Sequence, residues 1–267
     1  MFIMLDELEF NRCVEFSRTC ALNQQRIEFG QSDTAPRSNS EISRDNLIGK
    51  MAEVAFAKML QDVFGIQIDL DFNYYPRGKW DDQDAVVNGW KIDVKATRKG
   101  GRWMLIEWSK IDFRQRQGKM ADLYAMAIVD WDRNSDLPSR QVELVGCASA
   151  MKLRRGVPTT YILRKGDLIP ETTTHLQADN FGISFSDLEK DWESVIQYIC
   201  NNPPPDLSRY PNPFTGQPIE KDAKHINSCP KEPSHIPEDQ NKMANDAGFA
   251  NRIRRWFTKI CRTLISS

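Results

Sequence analysis

The order of apolar and polar residues along the chain predicts helices at both ends of a strand-rich middle. From about Leu5 to Ile27, apolar residues recur at helical spacing without Pro or Gly, which predicts a first helix. A polar loop from Gly30 to Ser40 follows. A second helix is predicted from about Asp45 to Phe64. Its core-facing stripe repeats at i, i+4, i+7 and i+11, as in an amphipathic helix, and consists of Ile48, Ala52, Ala55 and Met59.

The middle of the chain has the composition and alternation of strands. The predicted strands are Ala85–Val87, Trp90–Ala96, Trp103–Trp108 and Leu123–Val129, with Val142–Cys147 and Tyr161–Leu163 as possible extensions of the sheet. The polar segment Ser109–Gln117 is predicted to be an exposed helix, and Ser186–Cys200 a closing helix. The order helix, three strands, helix, strand predicts an α/β fold with a central mixed sheet flanked by helices.

Composition changes sharply at Asn201 and defines the domain boundaries. Residues 1–200 are predicted to form one domain, and residues 201–242, rich in Pro, Asn and Ser, an extended linker. Residues 243–267 return to helical periodicity, with apolar side chains on one side and Arg252, Arg255, Lys259 and Arg262 on another. This basic amphipathic helix suits docking on a protein partner or on its own domain, with DNA and a membrane surface as alternatives.

Charge and cysteine content restrict the class of protein. The chain has 267 residues, with 36 basic and 37 acidic side chains and 40% apolar residues, enough for one well-buried domain with extensions. No run of about 18 apolar residues predicts a spanning helix, and the acidic start does not resemble a secretory signal. Six cysteines without CxxC spacing predict reduced thiols in a cytoplasmic protein.

Asn88-Gly89 between two β-prone runs is the strongest local signal. A two-residue type I′ turn needs positive φ at both central positions, which Asn and Gly tolerate. With these residues as the centres, the register places Asp84 directly opposite Asp93. Asp81 and Asp82 lie close by, and it is the register that selects Asp84.

Strand alternation then sorts the hairpin into an apolar and a polar face. Asp84, Asp93, Lys95 and Thr97 share the polar face. Opposed carboxylates repel each other, and a divalent cation with oxygen ligands removes that repulsion. The predicted ligands are Asp84, Asp93 and the Val94 backbone carbonyl, with Lys95 beside them to act on water or phosphate. The alternative is an ordinary amphipathic hairpin with a charged outer face.

Glu53 adds a third carboxylate from the second helix. Its neighbours at i−4 and i+4, Gly49 and Ala57, are small, which leaves the helix surface around it open. A glutamate at the edge of an apolar stripe needs a polar partner, such as a metal-bound water or a basic side chain. The alternative is a surface ion pair with Lys50 or Lys58.

Glu53 in a helix, Asp84 opening a strand and Asp93-Val94-Lys95 on the next strand together resemble the PD-(D/E)xK nuclease superfamily, which includes restriction endonucleases and Holliday junction resolvases. The resemblance covers roughly residues 45–130 and implies a restriction-endonuclease-like αβββαβ core. It implies that Asp84 and Asp93 bind Mg²⁺, or Mn²⁺ in its place, that Glu53 holds the metal or its water, and that Lys95 orients or activates the attacking water. It is compatible with a homodimer.

The expected function is therefore Mg²⁺-dependent DNA endonuclease activity in defence or DNA processing. A structure-selective nuclease such as a junction resolvase and a non-catalytic nucleic-acid-binding module on the same scaffold are the alternatives. A local band of basic residues suits a polyanionic partner, and the predicted DNA contacts are Lys91, Arg98, Lys99, Arg102, Lys110 and Arg114.

Overall fold

A computed structural model describes residues 1–23, 38–75, 83–107, 121–131, 135–154 and 160–206. The chain divides into two units, Met1–Pro230 and Lys231–Ser267, and every described residue lies in the first. The helices are α1 (Glu7–Asn23), α2 (Asn39–Phe64), α3 (Ala150–Arg154) and α4 (Trp192–Asn201). The strands are β1 (Phe2–Met4), β2 (Ala85–Val87), β3 (Trp90–Arg98), β4 (Trp103–Glu107), β5 (Leu123–Val129), β6 (Gln141–Ser149), β7 (Thr160–Leu163) and β8 (Asn180–Ser184).

The main sheet has five strands in the order β1-β6-β5-β3-β2. β3 and β5 run parallel, and the other neighbouring pairs are antiparallel. The sheet is therefore mixed, as the sequence predicts for the α/β class. The strand β1 extends the sheet beyond β6 and has no counterpart among the predicted strands, since three residues carry too short a pattern to distinguish.

The two faces of the main sheet contribute to different cores. Alternate residues of β3, including Ile92 and Val94, pack in a core that contains side chains of α1, α2 and α4. The predicted stripe of α2 is buried in this core, which confirms its orientation. From β5, Tyr124 and Met126 instead join a second core with the buried side chains of β4 and β8.

A separate three-stranded sheet with the order β4-β8-β7 accounts for that second core. The expectation that Trp103–Trp108 belongs to the central sheet is wrong for the described strand β4, because its partner is β8, with Leu105 opposite Gly182. Tyr161–Leu163 likewise extends this second sheet and not the first, whereas Val142–Cys147 does extend the first. The predicted helix Ser109–Gln117 lies outside the described residues.

Capping side chains start two helices at residues that differ from the starts predicted by the apolar pattern. α2 begins at Asn39 and not near Asp45, because Ser38 and Glu41 form a reciprocal capping box with backbone N–H donors at 3.2 Å and 2.7 Å. α4 begins at Trp192 and not at Ser186, since the Asp191 side chain accepts from the Ser194 N–H. The predicted first helix begins at Glu7, and its residues 24–27 lie outside the description.

The turn of the β2–β3 hairpin is fixed to the end of α4. Asn88 and Gly89 have φ values of 47° and 80°, as a type I′ turn requires. The Asn88 side-chain amide donates to the carbonyl oxygens of Ile199 and Cys200 at 2.9 Å and 3.1 Å. The Trp90 indole N–H donates to the Asn202 carbonyl oxygen at 2.8 Å. The end of α4, together with Asn202 just beyond the predicted domain boundary, therefore holds the hairpin in place.

Asn88→Ala is expected to lower the free energy of unfolding by about 2 kcal/mol. The substitution removes the hydrogen bonds to the end of α4, which costs about 1 kcal/mol. It also places alanine, which has a Cβ and no polar side chain, at a positive φ, which costs about 1 kcal/mol more. Asn88→Gly is the matched control, because it removes the same hydrogen bonds but tolerates the backbone conformation. Urea unfolding of the three proteins measures the difference, and an Asn88→Ala protein as stable as the wild type would contradict this role.

The described cysteines are Cys13, Cys20, Cys147 and Cys200, and all four are free thiols. Burial raises the pKa of Cys13 to about 12 and keeps its thiol protonated at neutral pH. Within the described ranges, no helix is both long and apolar enough to cross a membrane. The C-terminal basic segment and most of the predicted linker lie outside the description.

Candidate functional site

The hairpin register sets the geometry of the site. Val87 pairs with Trp90, Val86 with Lys91 and Ala85 with Ile92, which confirms the predicted register. Asp84 directly precedes β2, so the same ladder places it opposite Asp93. Hydrogen-bonded and non-hydrogen-bonded pairs alternate along an antiparallel ladder. Asp84 and Asp93 form a non-hydrogen-bonded pair, the kind in which opposed side chains approach most closely.

The Asp84 carboxylate is anchored on the backbone of β3. Its Oδ2 accepts a hydrogen bond from the Val94 N–H at 2.6 Å. A residue in a strand directs its N–H and C=O toward the same neighbouring strand. The Val94 carbonyl oxygen is therefore directed to the same edge of β3 as Asp84, where the sequence places a metal ligand.

The surroundings of Asp84 disfavour its negative charge on balance. Burial and the nearby carboxylates of Glu53 and Asp93 raise the pKa of Asp84 well above its usual value. The Val94 N–H and the Lys95 ammonium act in the opposite direction and offset only part of this effect. The charges of the helical Glu53 and of the strand residues Asp93 and Lys95 thus all act on the half-buried Asp84, and we call these four residues the acidic cluster.

Glu53 reaches this cluster from α2. Its side chain is 15% exposed and forms an ion pair with Lys50. A Cβ added at Gly49 would meet no atom within 4 Å, so the helix surface on this side is open, as expected from the small residue there. Of the two possible lysine partners, Lys50 is the one observed, whereas Lys58 pairs with Glu9 and Asp62 at 3.5 Å and 3.4 Å.

Lys50 is the residue of this site whose importance the sequence understates. Its side chain is only 4% exposed, and its Nζ donates to Glu53 and, at 2.7 Å, to the Asp71 carbonyl oxygen. The same ammonium lies 4.6 Å from the centre of the Phe16 ring. Lysine is almost never fully buried unless it is paired. Lys50 lies outside the predicted apolar stripe of α2, so its burial is not predicted from the sequence.

Asp93 and Lys95 form an ion pair on the polar face of β3. Each side chain is 22% exposed, so both remain accessible from solvent. Ile92 and Val94, on the opposite face, are buried. The carboxylate and the amine therefore lie where a ligand at the edge of β3 meets both.

The donor set suits a hard divalent cation. Carboxylate oxygens of Asp84, Asp93 and Glu53 and a backbone carbonyl are the oxygen ligands that Mg²⁺ takes together with several waters. The observation that fits a cation here is the opposition of Asp84 and Asp93 across the hairpin, and burial together with the charges of Glu53 and Asp93 raises the pKa of Asp84. In the described parts of the chain, no three His, Cys, Asp or Glu side chains are arranged to hold a metal as they stand. Glu53 and Asp93 are instead engaged by Lys50 and Lys95.

The predicted DNA-contacting residues are dispersed in the structure. Lys99 pairs with Asp130 at 3.6 Å, and Arg102 pairs with Glu171 at 2.6 Å. Arg98 lines a cleft on the helix-covered face of the sheet. Lys91 lies near Asp122, whereas Lys110 and Arg114 fall outside the described residues.

Asp122 is a buried carboxylate that no sequence motif singles out. Its Oδ2 accepts from the Lys91 N–H at 2.9 Å, and its own N–H donates to the Lys91 carbonyl oxygen at 2.7 Å. Burial raises the pKa of Asp122. These bonds join the start of β5 to β3, so Asp122 helps to position the strand that carries Asp93.

Comparison of the chain with protein-family models, with curated proteins and with solved structures found no match.

Proposed function

We propose that this protein is a Mg²⁺-dependent DNA endonuclease of the PD-(D/E)xK type. The observation that carries the proposal is the acidic cluster: the hairpin register sets Asp84 opposite Asp93, the charge of Glu53 acts on Asp84, and Lys95 pairs with Asp93. A cluster that destabilises its own negative charge is costly unless a cation or a proton occupies it. Asp84, Asp93 and the Val94 carbonyl are the proposed ligands, with Glu53 from α2.

The chemistry assigned to these residues is phosphodiester hydrolysis. Bound Mg²⁺ would neutralise phosphate charge and lower the pKa of a water molecule. Glu53 and Lys95 orient the attacking water, and the Lys95 ammonium stabilises negative charge that develops on the phosphate oxygens. Water adds across one P–O ester bond, so that the hydroxyl remains on phosphorus and the proton goes to the leaving oxygen. Lys50 acts as a positioning residue that holds Glu53.

The local architecture supports this assignment over part of the expected core. α2, β2, β3 and the parallel strand β5 occur in the order that the resemblance implies. The third strand of that core, β4, pairs with β8 in the second sheet, which is a departure from it. The proposal therefore rests on the acidic cluster and the elements that carry it.

A cleavage assay on a substrate panel tests the proposal. Purified full-length protein is incubated with supercoiled plasmid, linear duplex, single-stranded DNA, a four-way junction and RNA, each with Mg²⁺, Mn²⁺ or EDTA. We expect DNA cleavage with Mg²⁺ or Mn²⁺ and none with EDTA. Preference for the junction would favour a resolvase. Metal-independent binding without cleavage of any substrate would instead favour the non-catalytic module and overturn the proposed activity.

A further inference from the structure

A cleft of about 500 Å³ on the helix-covered face of the main sheet is lined by three arginines, and we call it the arginine cleft. Arg18 comes from α1, Arg44 from α2 and Arg98 from the last position of β3. Sites for small molecules commonly have volumes of about 300–1,000 Å³. The arginine cleft is therefore large enough for a small organic ligand.

The arginine cleft is separate from the acidic cluster. Arg98 shares the helix-covered face of β3 with Val94, whereas Asp93 lies on the other face of the strand. Arg44 and Glu53 are nine residues apart on α2, so a rotation of about 100° per residue places them on opposite sides of that helix. A ligand of the cleft is thus a ligand of a second site.

The cleft lies at the carboxyl ends of the two parallel strands. Arg98 at the end of β3 pairs with Val129 at the end of β5, so both strands end at the same edge of the sheet. Trp131, two residues beyond β5, lines the cleft together with Arg98. In open α/β sheets, ligands bind in the crevice outside the carboxyl ends of the strands.

Interactions within the protein fix the walls of the cleft. On the helical side, the Ser43 hydroxyl of α2 donates to the buried Ser17 hydroxyl of α1 at 3.4 Å. On the strand side, the Trp131 indole N–H donates to the Ser135 carbonyl oxygen at 2.9 Å. All four residues line the cleft. Because these walls are already ordered, little conformational entropy is lost when a ligand binds.

The arginine cleft has an excess of positive charge. Asp136 is the one acidic side chain among its described lining residues, so three arginines and one aspartate give a net charge of +2. Within the described ranges, none of the three arginines forms an ion pair, whereas Arg102 pairs with Glu171 and Arg164 with Asp179. Guanidinium groups around one cleft repel each other, and an anion between them removes that repulsion.

The charge of the cleft matches a phosphate monoester. Such a group carries about −1.5 to −2 at pH 7, close to the opposite of the charge of the lining, whereas a phosphodiester carries a single negative charge. The planar fork of donors on arginine also matches phosphate oxygens bidentately. Apolar side chains, which a free phosphate ion does not use, complete the lining: Val14, Leu47, Trp131 and Leu137.

We infer that the arginine cleft is a binding site for a small phosphate monoester. The phosphate lies among the three guanidinium groups, and the organic part of the ligand contacts the apolar lining. The inference does not depend on the proposed nuclease activity, because no residue of the acidic cluster lines the cleft. It gives the protein a second ligand, of a different chemical class from the proposed DNA substrate.

Calorimetric titrations with defined probes test the inference. Phenyl phosphate, inorganic phosphate and the diester methyl phenyl phosphate are titrated into the full-length protein in a phosphate-free buffer with EDTA. We expect phenyl phosphate to bind most tightly, because inorganic phosphate lacks the apolar group and the diester lacks one charge. Arg44→Ala/Arg98→Ala should bind phenyl phosphate at least about tenfold more weakly, since it loses two charge-assisted donors.

Matched variants make the result specific to the cleft. Lys165→Ala/Lys190→Ala removes two positive charges from exposed sites elsewhere and should leave the affinity for phenyl phosphate unchanged. Asp136→Asn removes the acidic side chain of the lining and should raise that affinity roughly two- to fivefold, which a general loss of structure would not do. Melting curves establish that each variant is folded. Arg98→Ala alone, at an exposed position, replaces the double variant if that variant is unfolded.

Several results would overturn the inference. They are wild-type affinity in the arginine variant, an equal loss in the lysine control, and no binding of phenyl phosphate at millimolar concentration. Binding of the diester or of inorganic phosphate as tightly as phenyl phosphate would also contradict it. AMP and a 5′-phosphorylated oligonucleotide distinguish the source of the phosphate. Tighter binding of the oligonucleotide than of AMP, lost in the arginine variant, would assign the cleft to nucleic acid ends and overturn the small ligand.

Discussion

Asp93→Asn and Lys95→Ala are each expected to lower the rate of Mg²⁺-dependent DNA cleavage by at least about 10²- to 10³-fold, the effect found when one electrostatic group is removed from a transition state. Asp93 lies opposite Asp84 and pairs with Lys95, so each substitution changes the charge at the acidic cluster. Both side chains lie on the half-buried polar face of β3. Neither substitution opens a cavity in the apolar core.

The two variants should differ in their dependence on metal. Asp93→Asn removes a proposed ligand, so the Mg²⁺ concentration needed for half-maximal activity should rise. Lys95→Ala removes no ligand, so the maximal rate should fall while that concentration changes little. Single-turnover cleavage over a Mg²⁺ titration separates the two effects.

A matched pair of residues serves as the control. Lys58 and Asp62 form an ion pair of the same residue types at 3.4 Å on the surface of α2. Lys58→Ala and Asp62→Asn should leave cleavage within about twofold of the wild type, because an exposed ion pair contributes little. Cleavage by Asp93→Asn or Lys95→Ala at the rate of these controls would remove the acidic cluster from the mechanism.

Asp84→Asn is expected to abolish cleavage and yet to stabilise the metal-free protein by up to about 1 kcal/mol at neutral pH. Burial and the charges of Glu53 and Asp93 raise the pKa of Asp84 in the folded state. An asparagine at this position carries no charge, and its side-chain oxygen still accepts from the Val94 N–H. The variant therefore keeps the hydrogen bond from the Val94 N–H and loses the repulsion by the carboxylates of Glu53 and Asp93.

The pH dependence follows from the direction of that shift. A carboxyl group whose folded-state pKa lies above the unfolded value of about 3.9 favours folding most when it is protonated. Its contribution is fully present below the unfolded pKa and is lost as the pH rises through the folded pKa. The difference in stability between Asp84→Asn and the wild type should thus be small in acid and grow toward neutral pH.

Asp191 provides a control whose pKa is shifted in the opposite direction to that of Asp84. Hydrogen bonds from the side chain and backbone of Ser194 lower the pKa of Asp191, so its contribution is present above the unfolded pKa and is lost as the pH falls. Asp191→Asn should therefore be closest to the wild type in acid and relatively less stable at neutral pH. Urea unfolding between pH 3 and pH 8 compares the three proteins.

The effect of Mg²⁺ on the melting temperature is a second test of the Asp84→Asn variant. Added Mg²⁺ should raise the melting temperature of the wild type, because a ligand that binds only the folded state stabilises it. The melting temperature of Asp84→Asn should respond much less. A fall in the melting temperature of Asp84→Asn in metal-free buffer at neutral pH would instead show that the pair of aspartates is structural.

The sequence by itself determined the local elements of the site. Asn88-Gly89 specifies a type I′ turn because few residues tolerate positive φ, and a two-residue turn fixes the register of the strands around it. The register and the two-residue alternation then place Asp84 opposite Asp93, with Lys95 on the same face. The stripe of α2 similarly determines which side of that helix is buried.

Only the tertiary structure decided which distant segments meet these elements. β4 has the composition of a central strand, yet its partner is Asn180–Ser184, more than seventy residues away, and no local pattern specifies that pairing. The burial of Lys50 against Phe16 and the bonds from Asn88 to α4 are of the same kind. Backbone conformation depends on near neighbours along the chain, whereas the burial and pairing of a charge depend on every segment that packs around it.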